Sequence, residues 1–418
     1  MQFVEKYRSL IIKGGWVLCL TALRQALSLV LIMVLVRVLS KGEFGQYQFV
    51  VAVIGASGIF TLPGMRNAVT QSVGRGFDGT YRKSIRVVLL SSLLGSAGLA
   101  SLGVQQWLSG RELLPPAFLI AAALFPFAQG LTHWTSYQAG KEQFRLNAIY
   151  QGMGFSASYL GASAAVLLID PNFILVVLIT NAVLAMQNGW LSMSILRRLP
   201  LESPVEKGAI PYGVKTSFSL AVNTIGNHFD KLLLFYLLSP EALAVYAIAE
   251  RIPELIKNYL QSARTVLVPR FSRKSGFTSD MNRKINRLSL GASFGIVLLA
   301  IGVVPWLIPL AFTAEYGNAV LYCQLFLGTL VIGQAATMKY TYIISRLDAR
   351  SVRDVTIGTN IIRILASAIL VPIFGIMGAI AATFLYRLAT VVMVHISLRK
   401  FHALVDSCSK EVEGVGAQ

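Results

Sequence analysis

The sequence predicts an all-α, polytopic membrane protein with about twelve transmembrane helices in two six-helix lobes. Three observations predict it. Of 418 residues, 55% are hydrophobic and 13% charged, against about 25% charged in a soluble domain. Apolar stretches of helix length run almost end to end, and a helix needs about 20 residues to cross the hydrocarbon core. The Lys and Arg residues between them fall in every second loop. Such a chain works within the bilayer or across it, so transport leads the functional readings.

The spans are predicted over 15–38, 45–64, 86–107, 115–137, 148–169 and 173–194, then over 213–238, 242–264, 289–311, 318–345, 355–373 and 376–397. The N-terminus, MQFVEKYRSLIIKGG, is basic and precedes an apolar run too long for a signal peptide, so it reads as an uncleaved first helix. One set of loops holds Arg66, Arg75, Arg82 and Lys83, then Lys141 and Arg145, Arg197 and Arg198, the basic stretch 265–288, and Arg346 to Arg353. The other set holds little beyond Arg37, Lys41 and Arg111. By the positive-inside rule both termini are cytoplasmic, and a miscounted span would scramble the alternation. Trp16, Trp107, Trp134, Trp190 and Trp306 lie near span ends, where amphipathic rings favour the interface.

The formal charge of +18 would suggest nucleic acid in a soluble protein. Here the basic residues flank apolar helices, so topology and anionic lipid account for them and no nucleic acid is expected. Cys19, Cys323 and Cys408 have neither CxxC nor metal-ligand spacing, so neither disulfide nor metal is expected. No GxxxxGK[ST] loop is present, so ATP hydrolysis by this chain is not expected. No cofactor or catalytic residue is expected either.

Residues 39–47 (LSKGEFGQY) line up with 238–246 (LSPEALAVY) at an offset near half the chain. Both are outer turns between the first and second helix of a six-helix half. The predicted organisation is a lobe over 1–197, a cytoplasmic linker over 198–212, a second lobe over 213–400 and a tail over 401–418. Repeats of this kind place a transport site at the lobe interface.

Two segments carry a resemblance. VRVLSKGEFGQYQFVVAVIG with LPGMRNAVTQSVGRG, and NTIGNHFDKLLLFYLLSPEALAVYAIAERIPELI with VLVPRFSR, resemble the openings of the two halves of bacterial polysaccharide-lipid flippases. These include the O-antigen (Wzx-type) flippases of the multidrug/oligosaccharidyl-lipid/polysaccharide (MOP) superfamily. The resemblance implies a two-lobed, MATE-like transporter in the bacterial cytoplasmic (inner) membrane. It implies a substrate of undecaprenyl-pyrophosphate-linked oligosaccharide, an O-antigen or other surface repeat unit of lipopolysaccharide type, moved to the periplasmic leaflet. Membrane lipids, polysaccharide polymerase and chain-length proteins are the implied partners. Ala242 and Ala244 stand where the family often has a Gly in the outer turn.

Ionisable residues inside spans cost roughly 2.5–3.5 kcal/mol each on insertion scales and normally face a cavity or each other. In span seven Thr216, Ser219, Asn223, Asn227 and Asp230 follow i, i+3, i+7, i+11 and i+14, one helical stripe. The stripe reads either as a wall of a hydrated cavity or as interhelical hydrogen bonds. Lys231 follows it. In span eight Glu250, Arg251, Glu254 and Lys257 read either as mutual pairs or, for Glu250 with Asp230, as carboxylates that take up a coupling proton. Pro253 between them suits a moving part. Arg24, Lys339, Arg363 and Arg387 lie well inside spans. They read as guanidinium and ammonium groups for a pyrophosphate, with Arg24 first, or as charges that snorkel or pair with Asp230 and Glu250. Arg66, Asn67 and Gln71 could gate the inner mouth. His133, His228 and His395 read as packing residues. The rivals to a proton- or sodium-coupled flippase are a cation-coupled multidrug exporter of the same superfamily and a membrane-embedded polymerase or acyltransferase. The absence of a sizeable basic outer loop counts against a polymerase, and the isolation of His133 against an acyltransferase.

Overall fold

The computed structural model describes the backbone of residues 2–273, 279–345 and 349–415; side chains are described over 15–16, 19–260, 290–291, 293–334 and 353–399. The described chain is helical throughout. The first half comprises α1 (Gln2–Val38), α2 (Lys41–Ser57), α3 (Gly64–Gly74), α4 (Gly79–Leu108), α5 (Leu114–Ala128), α6 (Trp134–Gly140), α7 (Phe144–Leu168) and α8 (Phe173–Arg198). The second comprises α9 (Ala209–Leu237), α10 (Pro240–Arg273), α11 (Ser279–Phe312), α12 (Ala319–Ser345), α13 (Ala349–Phe374) and α14 (Ile376–Val415). α1 with α7, α4 with α5, and α8 with α5 and α7 pack as one group; α9 with α13, α10 with α12, and α14 with α12 and α13 pack as another. The groups meet where α2 lies against α9 and α10, α3 against α9, and α1 against α10.

Two predicted spans are broken. Span two becomes α2, a short 3-10 turn over Gly58–Thr61, and α3. Leu62 there adopts a left-handed φ of 50°; it precedes Pro63, whose ring disfavours the helical region for its neighbour. Span four breaks between α5 and α6, just after Pro126. Backbone freed inside a membrane must find partners within the protein. The Ala128 carbonyl accepts from Asn188 Nδ2 at 2.8 Å and the Leu131 carbonyl from Ser192 Oγ at 3.0 Å.

The same break overturns the interfacial placement of Trp134. That ring is 1% exposed and donates from Nε1 to Asn188 Oδ1 at 2.8 Å. Trp107, Trp190 and Trp306 are well exposed, as an interfacial or lipid-facing ring should be.

Eight helices or helix pairs among the described residues are long and apolar enough to cross a membrane, with Ala319–Gln334 a shorter apolar one. α7, α9 and α10 fall outside that set. α9 and α10 each hold several charges along their length, and all three line the cavities described below.

The turns at one end, the outer one by the charge pattern, knit the groups together. Ser40 caps α2 in a reciprocal box with Glu43, and Ser239 Oγ accepts from the Ala242 N–H at 3.2 Å at the start of α10. The two aligned segments thus begin their helices alike. They also touch, with Gly45 against the Pro240 carbonyl. Phe49 stacks on Phe235 at 3.8 Å between ring centres, and Arg37 donates to the Leu310 carbonyl at 3.0 Å.

At the opposite end the segment between α8 and α9 is strapped to the first group. Arg82 donates to the carbonyls of Leu196, Leu199 and Pro200. Gly79 N–H donates to the Pro204 carbonyl at 2.9 Å. Glu206 accepts from Ser72 Oγ at 2.6 Å and from Arg75 at 2.8 Å. Gly208, at φ 87°, then turns the chain into α9, a conformation that costs glycine no strain. The Ser72 hydroxyl and then the Arg75 guanidinium hold the Glu206 carboxyl below its ordinary value of 4.5. A depressed folded-state pKa stabilises above the unfolded value and is lost as pH falls through the folded one. Hydrogen exchange across 200–208, taken relative to the intrinsic rate at each pH, is therefore expected to stay slow from pH 7 to about 5 and to quicken only below the ordinary carboxylate range. Glu206→Gln is expected to quicken it already at pH 7.

Candidate functional site

Helical periodicity builds two adjoining cavities, one within the second group and one where the groups meet. The first, about 670 Å³, is walled by α9, α10, α12, α13 and α14. Asn223, Asn227 and Lys231 face it from α9, and Glu250, Glu254 and Lys257 from α10. Asn360 and Arg363 face it from α13, and Tyr386, Arg387 and Thr390 from α14. The second, also about 670 Å³, lies between α1, α7 and α10. Thr21, Arg24, Gln25 and Ser28 line it with Asn147, Gln151, Phe155 and Tyr159. Arg251 completes its wall, while Glu254 and Asn258 line both cavities. The residues of α1, α7 and α10 involved lie away from the turns at 39–47 and 238–246, so both cavities sit nearer the opposite end of the bundle.

The stripe on α9 splits in two. Asn223 and Asn227 face the first cavity, while Asp230 turns away from it and is 1% exposed. Thr216 and Ser219 are not part of either cavity wall. Asn223 Oδ1 accepts from Asn360 Nδ2 at 3.3 Å, and Asn227 Oδ1 from Arg363 Nη1 at 2.9 Å. One helix face therefore both lines a cavity and bonds to a neighbouring helix. Asp230 Oδ2 accepts from Arg363 Nη2 at 2.9 Å and from the Tyr246 hydroxyl at 2.5 Å. The Arg363 guanidinium also lies 5.6 Å from the centre of the Tyr386 ring.

The charges of α10 pair along the helix and across it. Arg251 and Glu254 approach to 3.7 Å, and Arg251 also donates to Ser28 Oγ of α1. Glu250 pairs with Lys231 of α9 at 2.8 Å. Pro253 lines the first cavity between them. Arg24 faces the second cavity, 4.6 Å over the Phe155 ring, with no ion pair among the described residues. Arg387 lines the first cavity, and its Nη1 makes no hydrogen bond there. Lys339 lies among side chains outside the described residues.

Of the other residues singled out, Arg66 is bonded to Thr132 Oγ1 at 3.0 Å, with Asn67 and Gln71 exposed beside it. His228 lines the first cavity and packs against Gly55 of α2. His133 is fully buried, with Nδ1 3.1 Å from the Gly130 carbonyl; His395 is exposed. Among the described residues no group of three or more His, Cys, Asp or Glu could hold a metal.

Sequence reasoning named Arg24, Arg363 and Arg387 but missed the three polar stripes that surround them. Thr356, Asn360 and Arg363 on α13, and Thr383, Arg387 and Thr390 on α14, each repeat at i, i+4 and i+7. On α1, Thr21, Gln25 and Ser28 do the same beside Arg24. The periodicity test that singled out α9 finds all three.

Comparison with known proteins agrees with this architecture. A MATE-family multidrug transporter of the MOP superfamily, solved in an inward-facing conformation, superposes with a TM-score of 0.68 at 12% identity, covering 91% of this chain and 96% of that one. The lipid II flippase MurJ in an inward closed conformation gives 0.68 at 12% identity, with 91% and 87% covered. A MOP-superfamily transporter from Pyrococcus furiosus with a binding pocket of reversed polarity gives 0.66 at 10% identity, with 93% and 95% covered. At these identities the likeness is one of fold. No curated relative matches the sequence. Residues 11–275, well over half the chain, match the family described as polysaccharide biosynthesis protein, and the chain belongs to that family.

Proposed function

We propose that this chain flips an undecaprenyl-pyrophosphate-linked oligosaccharide, an O-antigen or other surface repeat unit, from the cytoplasmic to the periplasmic leaflet of the inner membrane. The observation that carries this reading is a pair of adjoining cavities, one within the second helix group and one between the groups, lined by amides, hydroxyls and a surplus of cations. A pyrophosphate on a lipid needs a cation beside apolar surface. Arg24, held over Phe155 with Leu20 and Ala148 nearby, offers that. The sugars need amides and hydroxyls, which Asn223, Asn227 and Asn360 supply.

With both termini cytoplasmic, the closed outer turns make this an inward-facing state. Lobes over 1–197 and 213–400 would rock about the 198–212 linker. Asp230 and Glu250, each engaged with a cation, are the carboxylates placed to exchange a proton or sodium ion for that partner. Lys231, Arg363, Arg251 and Glu254 set the balance of these pairs. A polysaccharide polymerase and chain-length proteins would take over the product, and the chain itself carries out no reaction.

Deletion in a bacterium that carries the pathway should trap the lipid-linked unit on the cytoplasmic leaflet, read by leaflet-selective labelling. Wild type should restore it. Arg24→Ala should insert normally yet slow flipping by about tenfold or more, the worth of one charge-assisted contact. Normal sugar distribution with altered drug tolerance would instead place the chain among multidrug exporters.

A further inference from the structure

We infer that Arg387 and Lys257 form a second anion subsite, which takes a carboxylate-bearing sugar of the transported unit and is separate from the pyrophosphate site at Arg24. The inference rests on the flippase reading.

Charge pairing in the first cavity leaves a residue. Lys231 is paired to Glu250 at 2.8 Å and Arg363 to Asp230 at 2.9 Å. Lys257 and Arg387 face the same cavity and have no ion pair within 4.0 Å among the described residues. Glu254 and Glu250 offset part of the Lys257 charge from a distance, while Arg387 and Arg363 repel it. Arg387 Nη1 is buried without a hydrogen bond. A cavity inside the membrane that holds more cations than carboxylates favours an added anion. A guanidinium presents two parallel donors that match a carboxylate.

The surroundings distinguish a sugar acid from a second phosphate of the lipid. Around Arg387 stand Thr383, Thr390 and Tyr386 with the amide of Gln334, groups that match sugar hydroxyls and a ring face. Around Arg24 stand Leu20, Phe144, Ala148 and Phe155, suited to the lipid end. Glu254 and Asn258 line both cavities, so one elongated substrate can occupy them together.

The test uses the full chain in nanodiscs and two synthetic undecaprenyl-pyrophosphate disaccharides that differ only in the terminal sugar, glucuronate or glucose. Both carry the same pyrophosphate, so any preference comes from the sugar. Wild type is expected to bind the glucuronate lipid about tenfold more tightly. Arg387→Gln and Lys257→Gln should each bring the affinity ratio toward one, and Arg387→Lys should keep most of it. Equal binding of the two lipids by wild type overturns the inference alone. So does a ratio that survives both Arg387→Gln and Lys257→Gln. Binding of neither lipid overturns the flippase reading and this inference with it.

Discussion

Arg363→Met is expected to destabilise the protein by about 3–5 kcal/mol, the cost of leaving a buried charge without its partner. Asp230 is 1% exposed, and Arg363 and Tyr246 are its partners. Met fills much of the Arg volume, so lost charge rather than lost packing dominates the loss. The variant also leaves Asn227 without its donor at 2.9 Å. Asp230→Asn in the same background should recover much of the loss, because replacing both members of a buried pair is often close to neutral. Thermal and denaturant unfolding in detergent, run as a double-mutant cycle over the two singles and the double, measures this. Additive losses would show that Asp230 and Arg363 act independently. The same cycle read as transport separates structure from coupling. If the pair serves only to hold α9 to α13, flipping should recover with stability in the double variant. If Asp230 exchanges an ion for Arg363, stability returns and gradient-driven flipping does not.

The helical membrane fold was legible because membrane burial acts on sequence one residue at a time, through length and apolarity. The polar stripe on α9 was legible for a similar reason, since periodicity needs no knowledge of a partner helix. The same rule would have exposed Asn360 with Arg363 and Thr383 with Arg387. Pairing was legible only as an alternative: any of Arg24, Lys339, Arg363 and Arg387 could meet Asp230 or Glu250, and the sequence did not say which. Asp230 and Arg363 are 133 positions apart, and only the packing of α9 on α13 decides that Arg363 meets a carboxylate while Arg387 does not. Lys231 and Glu250 read as neighbours of other charges on their own helices, yet they find each other across the α9–α10 pair. The helix breaks were half legible. Pro63 and Pro126 mark them, but a break inside a membrane depends on side chains from elsewhere, such as Asn188 and Ser192, to take up the freed carbonyls. Trp134 was misplaced for that reason: its indole belongs to the repair of the break.

Gly45→Ala is expected to hold the outer end open and to reduce flipping at least about a hundredfold, as a step that must close no longer can. Gly45 sits on the first turns of α2, in the segment aligned with 238–246, and a Cβ there would overlap the Pro240 carbonyl oxygen. That oxygen belongs to backbone at the start of α10 and cannot swing aside as a side chain would. Just beneath, Phe49 lies flat on Phe235, so even a small displacement at Gly45 separates the rings. Gly42 supplies the control. A Cβ there would stand 2.9 Å from Glu241 Oε1, the free end of a flexible side chain that can rotate away. Gly42→Ala should therefore transport like the wild type. A cysteine pair across the outer turns reads the state directly. Disulfide formation should be fast in wild type and in Gly42→Ala, and slow in Gly45→Ala. Equal crosslinking and equal flipping in all three would mean that the outer turns tolerate bulk, and that the seal lies deeper, at the aromatic stack. Loss of flipping with normal crosslinking would locate the defect in opening rather than closing. In that case the tight glycine contact is the pivot about which the two outer turns separate.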